Sequence, residues 1–308
     1  MKKLKITLLV ILVINIGAVA QNINWSADQI KSFSTEWKGE RDTYGRPRVS
    51  DDLVKRLANI SLEEAWGYMR NKGYNNQFEA GWQIINPTKP LAGRVLTAQY
   101  MPSRPDIDLR IKEKGKAENR SGSPNSWPID MLKTNDVYVA DGFGKIIDGT
   151  LIGDNLGNSI YAKSKTGIVF DAGIRDLEGL EAIDGFVGFV RGFDPSFIKE
   201  VMLTCINCPI RIGRVTVMPG DLVLGKKEGV VFIPAHLAKE CIENSEFVGL
   251  KDEFGHARLK AGIYTPGEID MKWSDKIKAD FLNWVKTTPG KLQVSAAEFD
   301  ALMKERNW

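Results

Sequence analysis

The chain begins with segments whose apolar residues recur at helical spacing. Between residues 50 and 73 this spacing predicts two helices. Ser50 precedes the first, and Ser61 precedes the second with Glu64 three residues later, which is a capping-box pattern. We predict that residues 21–90 form a helical segment packed against the central part of the chain.

From residue 91 onward, short apolar runs alternate with turns that contain glycine, which is the pattern of strands. The runs are LAGRVLTAQY, DVYVAD, TGIVFDA, GFVGFV, IRIGRVTVMPGD and GVVFIP. Two helical patterns interrupt them, NLGNSIYAKSKTG and PAHLAKECIENSEF. This alternation predicts a mixed α/β core over residues 91–250 rather than an all-β sandwich.

Two further segments surround or interrupt this core. Residues 102–130 are polar and rich in Pro, Gly and Ser, which predicts a long loop that serves as a lid, an interface arm or a mobile segment. Residues 251–308 are again helical in pattern, and Trp273, Phe281 and Trp284 share one face. An aromatic stripe of this kind is more often packed core than a platform for sugar rings.

Residues 1–20 open with lysines, continue as an apolar run and end in the small-residue pattern AVA. This pattern predicts a cleavable signal peptide and therefore a secreted or periplasmic protein. The alternative, an uncleaved membrane anchor, is disfavoured because the apolar run is shorter than the ~20 residues that span a bilayer. Asn15 and Gly17 also interrupt it.

The charge balance argues against nucleic acid as a partner. The chain has 42 Lys and Arg residues against 39 Asp and Glu residues, and three of the lysines belong to the predicted signal peptide. The remaining chain is therefore close to neutral, without the clustered positive charge that nucleic-acid binding requires. We also expect no membrane association after signal cleavage, since no second apolar segment is long enough to cross a bilayer.

Three cysteines are too few to hold the fold together. Cys205 and Cys208 form a close pair that export would allow to oxidise, which would leave Cys241 as an odd thiol. A structural zinc site takes four ligands, and the chain has only two histidines, His236 and His256. Structural or incidental cysteines are the favoured interpretation, and a redox role of the close pair is the alternative.

Two motifs carry candidate chemistry. The motif GDNLGNS starts a helix after Gly153, and the first amide groups of such a helix bind anions. The motif GIVFDAGIRD places Arg175 and Asp176 at the end of a buried strand, where α/β folds have their sites. Arginine binds a carboxylate through two hydrogen bonds, and aspartate binds a divalent cation. Together they fit a 2-oxo acid with Mg²⁺ or Mn²⁺, although an Arg next to an Asp is more often a surface ion pair.

Four motifs occur in an order that resembles the RraA-like family, which contains the regulator of ribonuclease activity A and the 4-hydroxy-4-methyl-2-oxoglutarate aldolases. They are GRVLTA (93–98), GDNL (153–156), GIVFDAGIRD (167–176) and VMPGDLVLGKKEGVVFIP (217–234). The resemblance covers about residues 90–240. It implies a β/β/α swivelling-domain core, here with added N- and C-terminal helices. It also implies a homotrimer or homohexamer with sites at subunit boundaries.

The resemblance implies roles for individual residues. In the aldolases, the matching turn binds pyruvate, the arginine matching Arg175 contacts it, and the aspartate matching Asp176 binds the divalent metal. Asp154 matches the residue assigned to proton transfer through water. The turn residues assigned in this way to substrate binding are Gly153, Asp154, Asn155 and Leu156.

These roles predict a metal-dependent carbon–carbon lyase that cleaves a 4-hydroxy-2-oxo acid or decarboxylates oxaloacetate. The competing mechanism uses a lysine that forms a Schiff base with the substrate. It is disfavoured because the two motifs contain no lysine, and Lys163 and Lys165 lie on the helix beyond the turn.

Two departures from the family pattern keep a second interpretation open. Lys226 follows Gly225 where the family commonly has an acidic residue. The aldolases also take an acid from the neighbouring subunit, for which Asp252 and Glu253 are candidates by position only. The alternative is a non-catalytic binding or scaffolding protein with a vestigial anion site, comparable to the regulator branch, which binds a ribonuclease.

Overall fold

The computed structural model describes residues 23–291 and 295–305, so the predicted signal peptide lies outside the described residues. Among the described residues, no helix combines the length and the apolar character that a membrane span needs. The helices are α1 Ala27–Phe33, α2 Asp51–Leu57, α3 Leu62–Asn71, α4 Pro105–Ala117, α5 Trp127–Asp130, α6 Asp154–Ser164, α7 Leu177–Glu181, α8 Ala238–Lys260, α9 Pro266–Asp270, α10 Asp275–Thr287 and α11 Ala296–Glu305. The strands are β1 Phe78–Glu79, β2 Gln83–Ile85, β3 Leu91–Pro102, β4 Asp136–Asp141, β5 Gly167–Ile174, β6 Val187–Phe193, β7 Val201–Ile206, β8 Ile210–Ile212, β9 Val215–Val217, β10 Leu222–Lys226 and β11 Gly229–Ile233.

The described part of the chain is organised around a nine-stranded mixed sheet. The strand order is β1-β11-β10-β3-β4-β5-β6-β2. The ninth strand, β7, is outside this order and pairs with β3. The neighbours β3, β4, β5 and β6 run parallel, and the remaining pairs are antiparallel. The mixed α/β fold expected from the sequence is confirmed. The parallel strands β4, β5 and β6 all end at one edge of the sheet.

Both faces of the sheet are buried. Phe170 of β5 packs with Ile160 of α6 and Leu180 of α7 on one face. Its neighbour Val169 points to the other face, where the β8–β9 hairpin covers it. Every residue of β5 is buried, which explains why this segment reads as a continuous apolar run.

The predicted N-terminal helices are present as α2 and α3. The Ser50 hydroxyl accepts a hydrogen bond from Leu53 N, and the Ser61 hydroxyl accepts one from Glu64 N. Both helices pack with α8 against β10 and β11. The same region also contributes β1 and β2 to the sheet. These two strands were not predicted, since two or three residues are too few to show a period. The six-residue strand β7 was not predicted either.

The prediction of a loop over residues 102–130 is wrong, because residues 105–117 form α4. Pro105 occupies the first turn, where its missing N–H costs nothing. Lys112 pairs with Asp108 one turn earlier, and Gly115 packs under the Trp127 ring. The helix has almost no buried apolar stripe, so the hydrophobic pattern that predicts helices was absent.

The C-terminal helices form their own aromatic cluster. Helix α8 passes through residue 250 and carries Phe254, which lies 5.3 Å from Trp273 and 5.4 Å from Phe281 between ring centroids. Trp284 also packs against this cluster. The prediction that the Trp stripe is packed core is confirmed.

Candidate functional site

The GDNL motif begins helix α6 as predicted. Gly153 is the N-cap residue, and no side chain caps this end of the helix. The Asp154 carboxylate accepts a hydrogen bond from Asn155 N at 2.7 Å. The N-terminus of α6 therefore presents backbone donors and one carboxylate at the sheet edge where β5 ends.

The Arg-Asp pair follows β5 and turns the chain into α7. The Arg175 amide donates to the Ile152 carbonyl at 3.0 Å, which places the two motifs side by side. Asp176 has left-handed backbone angles, φ 58° and ψ 47°, and is the N-cap residue of α7. Aspartate adopts this conformation more readily than most residues. The two helices thus start next to each other.

Glycines at both helix starts allow the motifs to touch. A Cβ added to Gly153 would overlap the Asp176 carboxylate and lie 3.2 Å from Arg175 Cζ. In the other direction, a Cβ added to Gly179 of α7 would lie 2.6 Å from Asp154 Cβ. A side chain at Gly153 would push Asp176 away from the start of α6, and a side chain at Gly179 would push Asp154 away from α7.

The Arg175 and Asp176 side chains meet at this edge and remain accessible. Arg175 Nη1 lies 3.0 Å from Asp176 Oδ2, and the two side chains are 35% and 37% exposed. A half-exposed ion pair contributes little to stability. The Arg175 guanidinium also lies over the Phe197 ring, 5.1 Å from its centroid. Both charged groups are therefore available to a ligand.

A divalent cation fits Asp176 only with help from other ligands. Among the described residues, no group of three or more His, Cys, Asp or Glu side chains is placed to hold a metal ion. Mg²⁺ is commonly held by one or two carboxylates while water and substrate oxygens complete its shell. The accessible Asp176 carboxylate fits that kind of site.

The predicted residues do not all contribute side chains. Gly153, Asp154, Arg175 and Asp176 are brought together by the contacts described above. Leu156 is half-buried, and its side chain packs against the core.

A polar network on the opposite face of the sheet was not predicted from the sequence. Arg191 Nε donates to Asp171 Oδ1 at 2.6 Å, and Arg191 Nη2 donates to Glu79 Oε1 at 3.0 Å. Asp141, one strand away, is buried, and this burial raises the pKa of its carboxyl. The signal was available, because Asp141 and Asp171 each stand in an otherwise apolar strand.

The other residues singled out from the sequence have structural contacts. Lys226 Nζ donates to the Ile60 carbonyl at 2.5 Å, which ties the β10–β11 hairpin to the turn before α3. Asp252 and Glu253 lie in α8, and Glu253 pairs with Lys291.

The cysteines are free thiols in the structure. A hydrogen bond with Cys205 and burial both raise the pKa of the Cys208 thiol well above its ordinary value. Cys208 is therefore protonated at neutral pH, which does not suit a thiolate nucleophile.

The sequence of this chain matches a known protein family. A sequence model of the RraA-like family, described as aldolase/RraA, matches residues 47–232. The match begins before residue 90, so it includes α2 and α3, which the sequence analysis places outside the family core.

Several proteins are similar to this chain, and three of them are described here. An uncharacterized protein of Methanocaldococcus jannaschii is 29% identical over 68% of this chain and 95% of its own length. A Halalkalibacterium halodurans protein, provisionally named a 4-hydroxy-4-methyl-2-oxoglutarate aldolase, is 32% identical over 32% of this chain and 48% of its own length.

The third is a solved structure, Streptomyces coelicolor RraAS2, described as an unusual member of the RNase ES inhibitor RraA family. It superposes with a TM-score of 0.58 at 24% identity over 68% of this chain and 98% of its own, which shows a shared fold. Because the family model covers more than half of the sequence, the chain belongs to the RraA-like family.

Proposed function

We propose that this protein is a divalent-metal-dependent carbon–carbon lyase that releases pyruvate from a 4-hydroxy-2-oxo acid or from oxaloacetate. The observation that carries the proposal is the contact between the α6 N-terminus and the accessible Arg175–Asp176 pair. The family contains both aldolases and regulators that are not enzymes, so family membership alone does not choose between them. The choice rests on the retained anion-binding and metal-binding groups.

The α6 N-terminus and Arg175 would bind the carboxylate of the substrate. Backbone N–H groups at a helix start and the helix dipole stabilise an anion. Arginine adds a planar pair of donors that matches a carboxylate. Stacking on Phe197 limits the rotation of the Arg175 guanidinium and so orients this pair.

The reaction breaks the bond between C3 and C4 of the substrate. Its electron pair moves toward the 2-oxo group, so negative charge develops on that oxygen, where the Arg175 guanidinium stabilises it. Asp154, acting through water, accepts the proton of the C4 hydroxyl and returns a proton to C3. From a 4-hydroxy-2-oxo acid the products are pyruvate and an aldehyde or ketone. From oxaloacetate the C4 carboxylate leaves as CO2, and the only proton transfer is the one to C3 that gives pyruvate.

A divalent cation bound at Asp176 would supply Lewis-acid polarisation of the 2-oxo oxygen. In its absence, the Asp176 carboxylate would repel the developing charge, and Arg175 would be divided between that carboxylate and the substrate. We therefore expect turnover to require Mg²⁺ or Mn²⁺ and to cease in EDTA.

The test measures pyruvate release from 4-hydroxy-2-oxoglutarate and from oxaloacetate, with the protein-free rate subtracted. The Asp176→Asn and Arg175→Gln variants are compared with Arg104→Gln. Arg104 is a matched control, since it forms an exposed ion pair with Asp106 at 2.9 Å outside the site. We expect the two site variants to lose at least ~100-fold in kcat/KM and the control to retain it. No metal-dependent turnover by the wild type, or equal turnover by all variants, would contradict the proposal.

Export and assembly also stay proposals. The pattern of residues 1–20 supports cleavage of a signal peptide, which N-terminal sequencing of the exported protein would test. The exposure of Arg175, Asp176 and Phe197 supports a site completed by a second copy of the chain, as the family resemblance implies. Analytical ultracentrifugation would measure the oligomeric state.

A further inference from the structure

Two large apolar side chains beside the candidate site are exposed. Phe197 is 69% exposed and Ile147 is 62% exposed. They lie on the connections that follow β6 and β4, at the sheet edge where the site is. A hydrogen bond of 2.6 Å from Asp148 N to Ser196 Oγ joins the two connections. Asp148 directly follows Ile147 in the chain, and Ser196 directly precedes Phe197. The backbone positions of Ile147 and Phe197 are therefore close to each other, and we call the exposed area around these two residues the Ile147–Phe197 surface.

This surface adjoins the group that would bind the substrate carboxylate. Arg175 Cζ lies 5.1 Å from the Phe197 ring centroid, and its Nη1 lies 3.0 Å from Asp176. A carboxylate on this guanidinium would place the rest of a small ligand beside the Phe197 ring. Adjacent apolar side chains left exposed are typical of a contact surface rather than of the folding core.

Most of the charges near the site disfavour a second carboxylate on the ligand, and the exposed Lys199 is the exception. Asp154 and Asp176 stand at the two helix starts, and Glu178 is exposed on the first turn of α7. Nearby Lys145 is already paired with Glu200 at 2.6 Å. An apolar substituent would meet a compatible surface, whereas a carboxylate would meet several like charges.

We propose that the Ile147–Phe197 surface selects 4-hydroxy-2-oxo acids whose substituent at C4 is apolar. This inference rests on the proposed lyase function. In the reaction, the C3–C4 bond breaks and its electron pair stays with the pyruvate fragment, which gains a proton at C3. The C4 hydroxyl loses its proton and becomes the carbonyl of an aldehyde or ketone that carries the apolar group.

The experiment compares kcat/KM for two substrates that differ only at C4. 4-Hydroxy-2-oxo-4-phenylbutanoate carries a phenyl group there, and 4-hydroxy-2-oxoglutarate carries a carboxylate. We expect the wild type to prefer the phenyl substrate by about tenfold or more, because apolar contacts in a site discriminate at this level. Phe197→Ala should lower kcat/KM for both substrates, because Phe197 also orients Arg175. It should lower kcat/KM further for the phenyl substrate and so abolish most of the preference.

Three further variants separate apolar contact from other roles. Phe197→Leu keeps an apolar side chain without the aromatic face, so it should keep most of the preference. Phe33→Ala is the matched control, since Phe33 is 66% exposed at the end of α1, and it should change neither rate. Lys199 is exposed near this surface and would bind a second carboxylate if the site recognised one. We expect Lys199→Gln to leave kcat/KM unchanged for both substrates.

Several results would overturn the inference. A wild-type preference for the dicarboxylate, or a selective loss of dicarboxylate turnover in Lys199→Gln, would show that the site recognises a second charge. Equal losses for both substrates in Phe197→Ala, with a smaller oligomer on ultracentrifugation, would assign Phe197 to a subunit contact. Pyruvate release at equal rates from both substrates would contradict only the selectivity assigned to the Ile147–Phe197 surface. No pyruvate release from either substrate would contradict the lyase function as well.

Discussion

Gly153 and Asp176 are in direct contact, and the Asp176 carboxylate occupies the space that a Cβ at Gly153 would fill. The contact joins the start of α6 to the start of α7. It explains why a glycine is the N-cap residue of α6 when the Arg-Asp pair follows β5. The two motifs are adjacent because of this contact.

Replacing Gly153 by alanine should therefore damage the site more than the fold. The added methyl group must displace the Asp176 carboxylate or the helix start, so we expect at least ~100-fold lower kcat/KM for pyruvate release. Gly249→Ala in α8 is the control, since a Cβ there meets nothing within 4 Å. It should leave turnover unchanged and raise the free energy of unfolding by roughly 0.5–1 kcal/mol. Equal turnover in Gly153→Ala and wild type would argue against this contact being part of the site.

Lys226 should matter for stability and not for catalysis. Its ammonium group donates to the Ile60 carbonyl, so Lys226→Met should lower the free energy of unfolding by about 1–2 kcal/mol. Lys227→Met, the exposed neighbour, should change it little. Urea unfolding measures both values, and pyruvate release should be normal in both variants. A selective loss of turnover in Lys226→Met would place this lysine in the reaction instead.

The sequence was sufficient for the elements with a clear period and for the placement of both motifs, one at a helix start and the other at a strand end. It predicted the Ser50 and Ser61 caps, strand β4 and the start of α6 at Asp154. It did not predict α4, because that helix is held by surface ion pairs and a Gly115–Trp127 contact rather than by an apolar stripe. The packing of Phe197 on Arg175 was also out of reach, since it depends on where two distant loops meet.

Asp221 should make stability depend on pH. Burial raises the pKa of its carboxyl to about 7, although Met218 N donates to it at 2.9 Å. An unfolded aspartate ionises near ~4, so between pH ~4 and ~7 the folded state retains a proton that the unfolded state has lost. The folded state is therefore destabilised as pH rises through this window, by up to about 4 kcal/mol for a shift of about three units.

The Asp221→Asn variant cannot titrate at this position and keeps an oxygen for Met218 N. The free energy of unfolding of wild type minus that of the variant should fall as pH rises from ~4 to ~7 and then level off. Urea titrations at several pH values measure this difference. A difference that does not vary with pH would show that Asp221 ionises normally in the folded protein.

The buried Arg46 should hold the N-terminal segment to the sheet. It pairs with Asp42 and with Asp136 of β4, both at 2.8 Å, and all three side chains are buried. Arg46→Met leaves the buried Asp42 carboxylate without a cationic partner, and Asp136 keeps only the longer contact with Arg94 at 3.7 Å. We therefore expect a loss of about 3–5 kcal/mol in the free energy of unfolding. Arg104→Met removes an exposed pair and should cost less than ~1 kcal/mol. Similar losses in the two variants would contradict the structural role of the Arg46 pair.

The most direct test measures oxalate binding, since oxalate resembles the charge distribution of the pyruvate fragment after bond cleavage. Calorimetry with the full protein should show oxalate binding by the wild type only when Mn²⁺ is present. Asp176→Asn should lose both Mn²⁺ and oxalate binding, whereas Arg175→Gln should bind Mn²⁺ and lose most of its affinity for oxalate. Oxalate binding that is independent of Mn²⁺, or unchanged in both variants, would contradict a site in which Arg175 and Asp176 act on one ligand.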